Sequence, residues 1–379
     1  MGSVIIALRI TVRTFLNSQT LSLLTVPCSL FPVPCSLARS AIVVVLGVMS
    51  GHQGYREIGY FVKANEVILK RTFKLYSEEM PSYSTIRRVM RGVDEKDLSK
   101  IVKEWSRENS PKLKGIEALA IDGKSLRSTV KDPGNQQQNM VIMVSLFSQE
   151  TGLVLATEKF ESKTGSEQAV AQEIIGKCGL KGKLITADAL HCNVTTTRKI
   201  MESGNDYLIA VKKNQIKLYN QIEKITKMTK AESIDTQKER GHGREITRRV
   251  SVFKKSIKIE SPWEHIESII QVERWGYRGK KSYKETVYYI SSIWEKADFF
   301  SQKIKGHWGI ENQVHWVKDV LFKEDSMKIH QVQAATNWAL LNTLGLNIFR
   351  GLGFLSITEG RRWLGNQWEK LLAISLSPR

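Results

Sequence analysis

Two short apolar runs, each stopped by an aspartate, constrain this chain more than anything else in it. Ala118-Leu119-Ala120-Ile121 leads into Asp122, and Leu184-Ile185-Thr186-Ala187 leads into Asp188. Apolar and β-branched stretches of this length are predicted as strands that end at the carboxylate. A third acid, Glu311, lies in the run HWGIENQVHWVKDV, whose spacing predicts a helix. Ile310, Val314, Val317 and Leu321 form its buried stripe, and His307, Glu311, His315 and Lys318 form a polar seam beside it. Carboxylates at two neighbouring strand ends, with a third on a helix packed against them, suit two Mg²⁺ ions about 3.5–4 Å apart acting on a phosphodiester. Each acid alone is weak evidence, because an Asp at a strand end is more often a turn residue. Should Glu311 not be the third ligand, Asp319 and Glu324 on the same segment are the next candidates. The histidines flanking Glu311 offer zinc ligation instead, a reading disfavoured because Glu stands between them.

Charge points to a polyanionic partner. The chain has 57 Lys and Arg against 38 Asp and Glu, a net +19 over 379 residues, and a globular surface this basic attracts phosphate. A membrane is the competing partner, but the longest apolar run, Ala41 to Met49, is far short of the roughly 20 residues a spanning helix requires. Cys28, Cys35, Cys178 and Cys192 show no CxxC spacing, which leaves no disulfide framework or zinc knuckle and fits a reducing cytoplasm.

Residues 1–40 contain no acid and carry a seven-residue near-repeat, VPCSLFP then VPCSLAR. They read as an extension foreign to the fold, disordered or read through from upstream DNA, and its removal is expected to leave folding intact. A secretory signal is disfavoured, because Arg9 and Arg13 interrupt the apolar run. Residues 41–110 read as helical, with apolar faces at Ile58/Phe61/Val62 and Val67/Ile68/Phe73/Leu75. After Pro81, Ser84 is the expected N-cap of a helix that turns Ile86, Val89 and Met90 inward and Arg87, Arg88 and Arg91 outward, and Asp94 caps the next. This pair is either a helix-turn-helix reader of DNA or a small bundle with a solvated basic face.

From Ile116 the pattern becomes strands. A hairpin is expected at 141–147 and 153–160, then a helix at 166–177, the strand to Asp188, a helix at 195–203, the strand 207–211 and a helix from 215. Three antiparallel strands followed by helix-strand alternation is the order of an α/β ribonuclease H-like core. Residues 238–285 form a basic, strand-rich insert with 13 Lys and Arg against 7 Glu. Trp263, Trp275, Tyr277 and Tyr283 are interleaved, a composition suited to nucleic acid or, more ordinarily, to a solvated sheet face.

Together these runs resemble the ISAs-type, H-repeat-associated insertion-sequence transposases, a branch of the DDE transposases. The resemblance covers about residues 41–375. It rests on DGKSLR at Asp122, ADALHCN at Asp188, DYLIAVKKNQ at Asp206, GHGREITRRV at Gly241, YYISS at Tyr288 and HWGIENQVHWVKDVLFKEDS at His307. It implies a ribonuclease H-like catalytic core over 111–375 with a β insertion at about 238–290, and a helical domain over 41–110 that contacts DNA. It also implies Asp122, Asp188 and Glu311 as catalytic metal ligands for two Mg²⁺ ions, with Mn²⁺ as a substitute. The implied partners are double-stranded element ends and target DNA, bound by a homodimer or higher assembly at the nucleoid. Lys124, His307 and Lys318 are the expected phosphate contacts near the metals; Arg87, Arg88, Arg91, Lys280 and Lys281 are the expected contacts further out. One departure stands out: broader relatives carry Tyr-x2-Arg-x3-Glu-x6-Lys, where this chain has Ile304, His307, Glu311 and Lys318. A catalytically silent DNA-binding relic and a nuclease on the same acidic core are the rival readings.

Overall fold

The computed structural model describes residues 43–73, 79–111, 115–131, 139–241, 244–254, 259, 262–263, 265–278 and 281–376. The expected N-terminal extension and Lys280 lie outside the described residues. Among the described residues, five helices come first: α1 (residues 43–49), α2 (Tyr55–Ala64), α3 (Glu66–Phe73), α4 (Tyr83–Gly92) and α5 (Glu95–Asn109). The Ile58/Phe61/Val62 face of α2 is buried as its spacing requires. In α3, which follows a break at Asn65, Val67 is exposed, against expectation, and Leu69 is buried; the Phe73 side chain and Leu75 lie outside the described residues. Ser82, not Ser84, caps α4 by accepting from the Thr85 amide, one residue before the helix begins. Asp94 caps α5 through the Lys96 amide at 2.8 Å.

Strands β1 (Ala118–Lys131), β2 (Asn139–Ser148) and β3 (Val154–Glu161) form an antiparallel meander. Helix α6 (Glu167–Lys177), capped by Ser166, crosses to β4 (Leu184–Ala187), and α7 (Val194–Glu202) leads to β5 (Asp206–Val211); both strands add in parallel. After α8 (Ile216–Met228) the antiparallel strands β6 (Ser233–Gly241), β7 (Arg244–Lys254), β8 (Ser268–Arg278) and β9 (Lys281–Ser291) follow. Strand β9 pairs with β5, so one mixed sheet runs β3-β2-β1-β4-β5-β9-β8-β7-β6. The strands of the basic stretch therefore extend the central sheet, and the strand that leads into it starts at Ser233.

Alternation along β1 sorts two faces. Leu119 and Ile121 belong to a core that includes Ala171, Ile174 and Ile175 of α6, while Ala118 packs with Phe300 and Ile304 of α9 (Ala297–His307). Beyond α9 come a wide helical turn (Glu311–His315), the short α10 (Trp316–Val320), α11 (Val332–Gly351) and α12 (Ile357–Leu376). Helix α11 is buried nearly all round and ties the N-terminal helices to the sheet. Asn337 Nδ2 donates to the carbonyls of Met90 and Val93, and Asn347 Nδ2 donates to Val154 O. Trp105 and the α1 valines thus share one apolar core with the sheet. No helix among the described residues is long and apolar enough to cross a membrane.

Candidate active site

The parallel register of β1 and β4 brings the two aspartates level. Ala118 pairs with Leu184, Leu119 with Ile185 and Ala120 with Thr186, so Asp122 and Asp188 each lie two residues past the last pair. The strand expected to stop at Asp122 continues to Lys131, held by β2, with Asp122 opposite Ser145. Only β4 ends at its acid, where Asp188 caps a short turn by accepting from the Leu190 amide at 2.9 Å.

Glu311 arrives from the other side. The helical run from α9 to α10 widens over Glu311–His315, where the Trp316 amide reaches back five residues to Glu311 O. Wide turns of this kind add a residue to the helical turn and concentrate at functional positions. The exposed Glu311 carboxylate meets His315 Nδ1 at 3.1 Å, and that same nitrogen lies 3.6 Å from Asp122 Oδ2. One donor atom from each of Asp122, Glu311 and His315 lies within 4.8 Å of the others.

Like charges accumulate on Asp122. Burial, then Glu167, Asp188 and Glu311, push its carboxyl up to about 7, against an opposing hydrogen bond from the Gly123 amide. Glu167, absent from the site residues expected from sequence, starts α6 on the sheet face opposite Asp122. A Cβ on Gly123 would stand 2.5 Å from Glu167 Oε2, so the glycine is what admits that carboxylate to the strand. Glu167 also contacts the buried His191 at 3.2 Å. A glycine inside a strand signals close approach, but a glutamate in a helix's first turn ordinarily serves the helix dipole, and no local pattern marked this one.

The other expected site residues separate into two groups. His307 is partly buried beside Asp188, its Nδ1 3.0 Å from Thr186 Oγ1, and burial pushes it down to about 4. Lys318 is fully buried, 3.6 Å from Glu324 Oε2, which also accepts from Asn342 Nδ2 at 3.1 Å. Burial pushes the Lys318 ammonium down, with Glu324 opposing. Lys124, 7% exposed, binds Asp319 at 2.6 Å and Asp325 at 3.1 Å. Lys124 is thus engaged by acids of the VKDVLFKEDS segment and pins it to β1 beside Asp122, Lys318 pairs with Glu324 inside that segment, and Asp319 and Glu324 are occupied by lysines.

Further out, Arg87 and Arg91 of α4 line a groove of about 950 Å³ with Arg56, Lys323, Lys328 and His330. Its floor reaches β1, where His330 Nδ1 lies 2.8 Å from Ser128 O. Arg88 is exposed on the same helix but does not line this groove. Lys281 is exposed at the start of β9, roughly 20 Å along the strand from its pairing with β5. Trp275 and Tyr277 are exposed near it. Cys192 is buried, which pushes its thiol up to about 12 and makes it unreactive.

Fold and site define a mixed α/β protein with an acidic, metal-competent centre where parallel strands meet a widened helix. Residues 113–348 match the family model described as "Transposase DDE domain", and residues 36–106 match the model described as "DDE_Tnp_1-associated". The chain is 33% identical over 327 residues to "Putative transposase YncI" of Escherichia coli O157:H7, covering 83% of this chain and 82% of that one. It is 28% identical over 324 residues to "H repeat-associated putative transposase YhhI" of Escherichia coli strain K12, covering 82% and 84%. The chain belongs to the DDE transposase family.

Proposed function

We propose that this protein cuts the ends of its own insertion sequence and joins the freed 3′ ends to target DNA, with Asp122, Asp188 and Glu311 holding two divalent ions. The observation that carries the reading is geometric: the register of β1 and β4 sets Asp122 and Asp188 level, and the widened turn brings Glu311 to Asp122, whose carboxyl burial first, and then Glu167, Asp188 and Glu311, push up to about 7. Crowded carboxylates destabilise one another until a cation joins them, and an all-oxygen set of this kind fits Mg²⁺ or Mn²⁺. The ions would supply activation of the attacking oxygen and neutralisation of charge on the phosphate.

The chain's own residues do the positioning. Asp122, on which the charges of both other acids act, would hold the ions together with them. The Leu190 amide fixes Asp188, and His315 fixes Glu311. Lys124 of β1, paired with Asp319 and Asp325, holds the following segment against that strand, and the Lys318–Glu324 pair braces the segment internally, so the glutamate is presented by a rigid support. His307 stands where relatives have arginine; neutral beside Asp188, it contributes shape and a hydrogen bond where guanidinium would contribute charge. The strand order β3-β2-β1-β4-β5, with three antiparallel and two parallel members, supports a ribonuclease H-like core over 111–375. The groove of Arg56, Arg87 and Arg91 is the proposed path for duplex phosphates, with the 41–110 helices as a DNA-contacting part. Assembly on DNA as a dimer or larger, at the nucleoid, completes the proposal.

The test uses DNA carrying the element's own ends. Wild type is expected to nick and then join strands with Mg²⁺ or Mn²⁺, while Asp122→Asn, Asp188→Asn and Glu311→Gln bind that DNA and do neither. Equal nicking by Glu311→Gln would remove it as the third ligand. Nicking of any DNA without joining would make the protein a nuclease, and binding without nicking by wild type would make it a relic.

A further inference from the structure

In a three-carboxylate centre His315 does no more than hold Glu311, yet it is the group most enclosed by it. The side chain is 5% exposed. Its Nδ1 lies 3.1 Å from Glu311 Oε2 and 3.6 Å from Asp122 Oδ2, and its Nε2 has no hydrogen-bond partner. The ring's polar contacts are therefore made through one nitrogen, and both go to proposed metal ligands. Donors cis to one another on a divalent ion, at about 2.0–2.2 Å, stand roughly 3 Å apart. The separations of Nδ1 from the two carboxylates are already close to that.

We infer that His315 is itself a ligand: the ion shared by Asp122 and Glu311 takes His315 Nδ1 as a nitrogen donor. This rests on the carboxylate reading of the site and narrows it. Imidazole suits transition ions, whereas Mg²⁺ is served by oxygen donors alone; the two metal positions are thus unlike. The Asp122–Glu311–His315 position favours Mn²⁺ or another transition divalent ion, and the Asp122–Asp188 position, beside which His307 Nδ1 is taken by Thr186, accepts Mg²⁺. Binding needs the Nδ1 lone pair, so the single ring proton sits on Nε2 and the imidazole stays neutral. The widened turn supports the assignment by setting Glu311 and His315 toward Asp122 together. His307, one turn earlier, is held by Thr186 and does not join that set.

The experiment uses the full chain without DNA, loaded with Mn²⁺ and read by pulsed electron paramagnetic resonance. A ¹⁴N coupling that changes when the histidines are labelled with ¹⁵N is the expected result. The coupling should persist in His307→Gln and vanish in His315→Gln, whose Mn²⁺ affinity should fall by roughly ten-fold or more while Mg²⁺ affinity holds. Mn²⁺ bound to wild type without nitrogen coupling, or an unchanged Mn²⁺-to-Mg²⁺ preference in a folded His315→Gln, overturns the inference and leaves the carboxylate reading standing. If Asp122→Asn and Glu311→Gln bind both ions as wild type does, the carboxylate reading fails and takes this inference with it. The labelled wild-type spectrum decides the matter even if the variant does not fold.

Discussion

Asp122→Asn should make the metal-free protein more stable at alkaline pH, and the gain should disappear on acidification. In the folded chain the carboxyl is held up at about 7, against an ordinary 3.8, chiefly by burial and by Glu167. A raised carboxyl keeps its proton where the unfolded chain has released it. Metal-free stability is therefore fully present near pH 4, falls as pH rises toward 7, and stays reduced above that. The full linkage is about 4 kcal/mol at 1.36 kcal/mol per pH unit. Asp122 is 32% exposed, and solvent screening brings the realised figure to about 2 kcal/mol. For 379 residues, at about 2.1 cal/mol/K each, this is a rise in Tm of roughly 2–3 °C at pH 8. Less than half should remain at pH 5. A divalent ion at a hundred times its Kd then reverses the order, adding about 2.7 kcal/mol to wild type and little to the variant. The assay is a melt of both proteins across pH, with and without Mn²⁺. A variant less stable than wild type at pH 8 without metal, or a gain that ignores pH, would refute the crowded-carboxylate account.

Lys318→Met strands the buried Glu324 and should cost about 3–5 kcal/mol, a fall in Tm of roughly 4–6 °C; Lys318→Met with Glu324→Gln should recover much of it, and an unperturbed melt of the single variant would mean that the pair does not hold the segment. Gly123→Ala puts a Cβ where Glu167 Oε2 now lies, so the flexible glutamate should swing away at a cost within about 1 kcal/mol. The Mn²⁺-induced rise in Tm should change with it, and an identical rise would leave Glu167 without influence on the centre. Arg87→Ala with Arg91→Ala should weaken duplex binding and flatten the log–log salt dependence by about 0.9 for each phosphate no longer neutralised; Lys281→Ala should do so more modestly, and an unaltered slope in the arginine pair would exclude the groove from the DNA path.

What the sequence determined by itself is what adjacent residues decide together. The four-residue runs before Asp122 and Asp188 became strands because apolar and β-branched residues fit a buried pleat. Ile310, Val314 and Val317 are buried because their spacing lies on one helical face. Asp94 and Ser166 cap helices because a short polar side chain satisfies a free amide one turn away. The three acids of the family pattern were legible for the same reason, each lying in a compact run.

Tertiary structure decided what depends on which runs meet. Nothing near Asp122 announces that β2 carries its strand on to Lys131, or that Glu167 fits against Gly123. Lys124 and Lys318 read in sequence as phosphate contacts near the metals. They are buried because Asp319, Glu324 and Asp325 come to meet them, Asp325 from 201 positions away along the chain. His315, read as part of the polar seam beside the apolar stripe, is buried in the widened turn. Local patterns report how a segment distributes its own apolar surface. The cost of burying a charge or an imidazole is settled only by the partners that folding delivers, and here those partners come from β1, the widened turn and the segment that follows it.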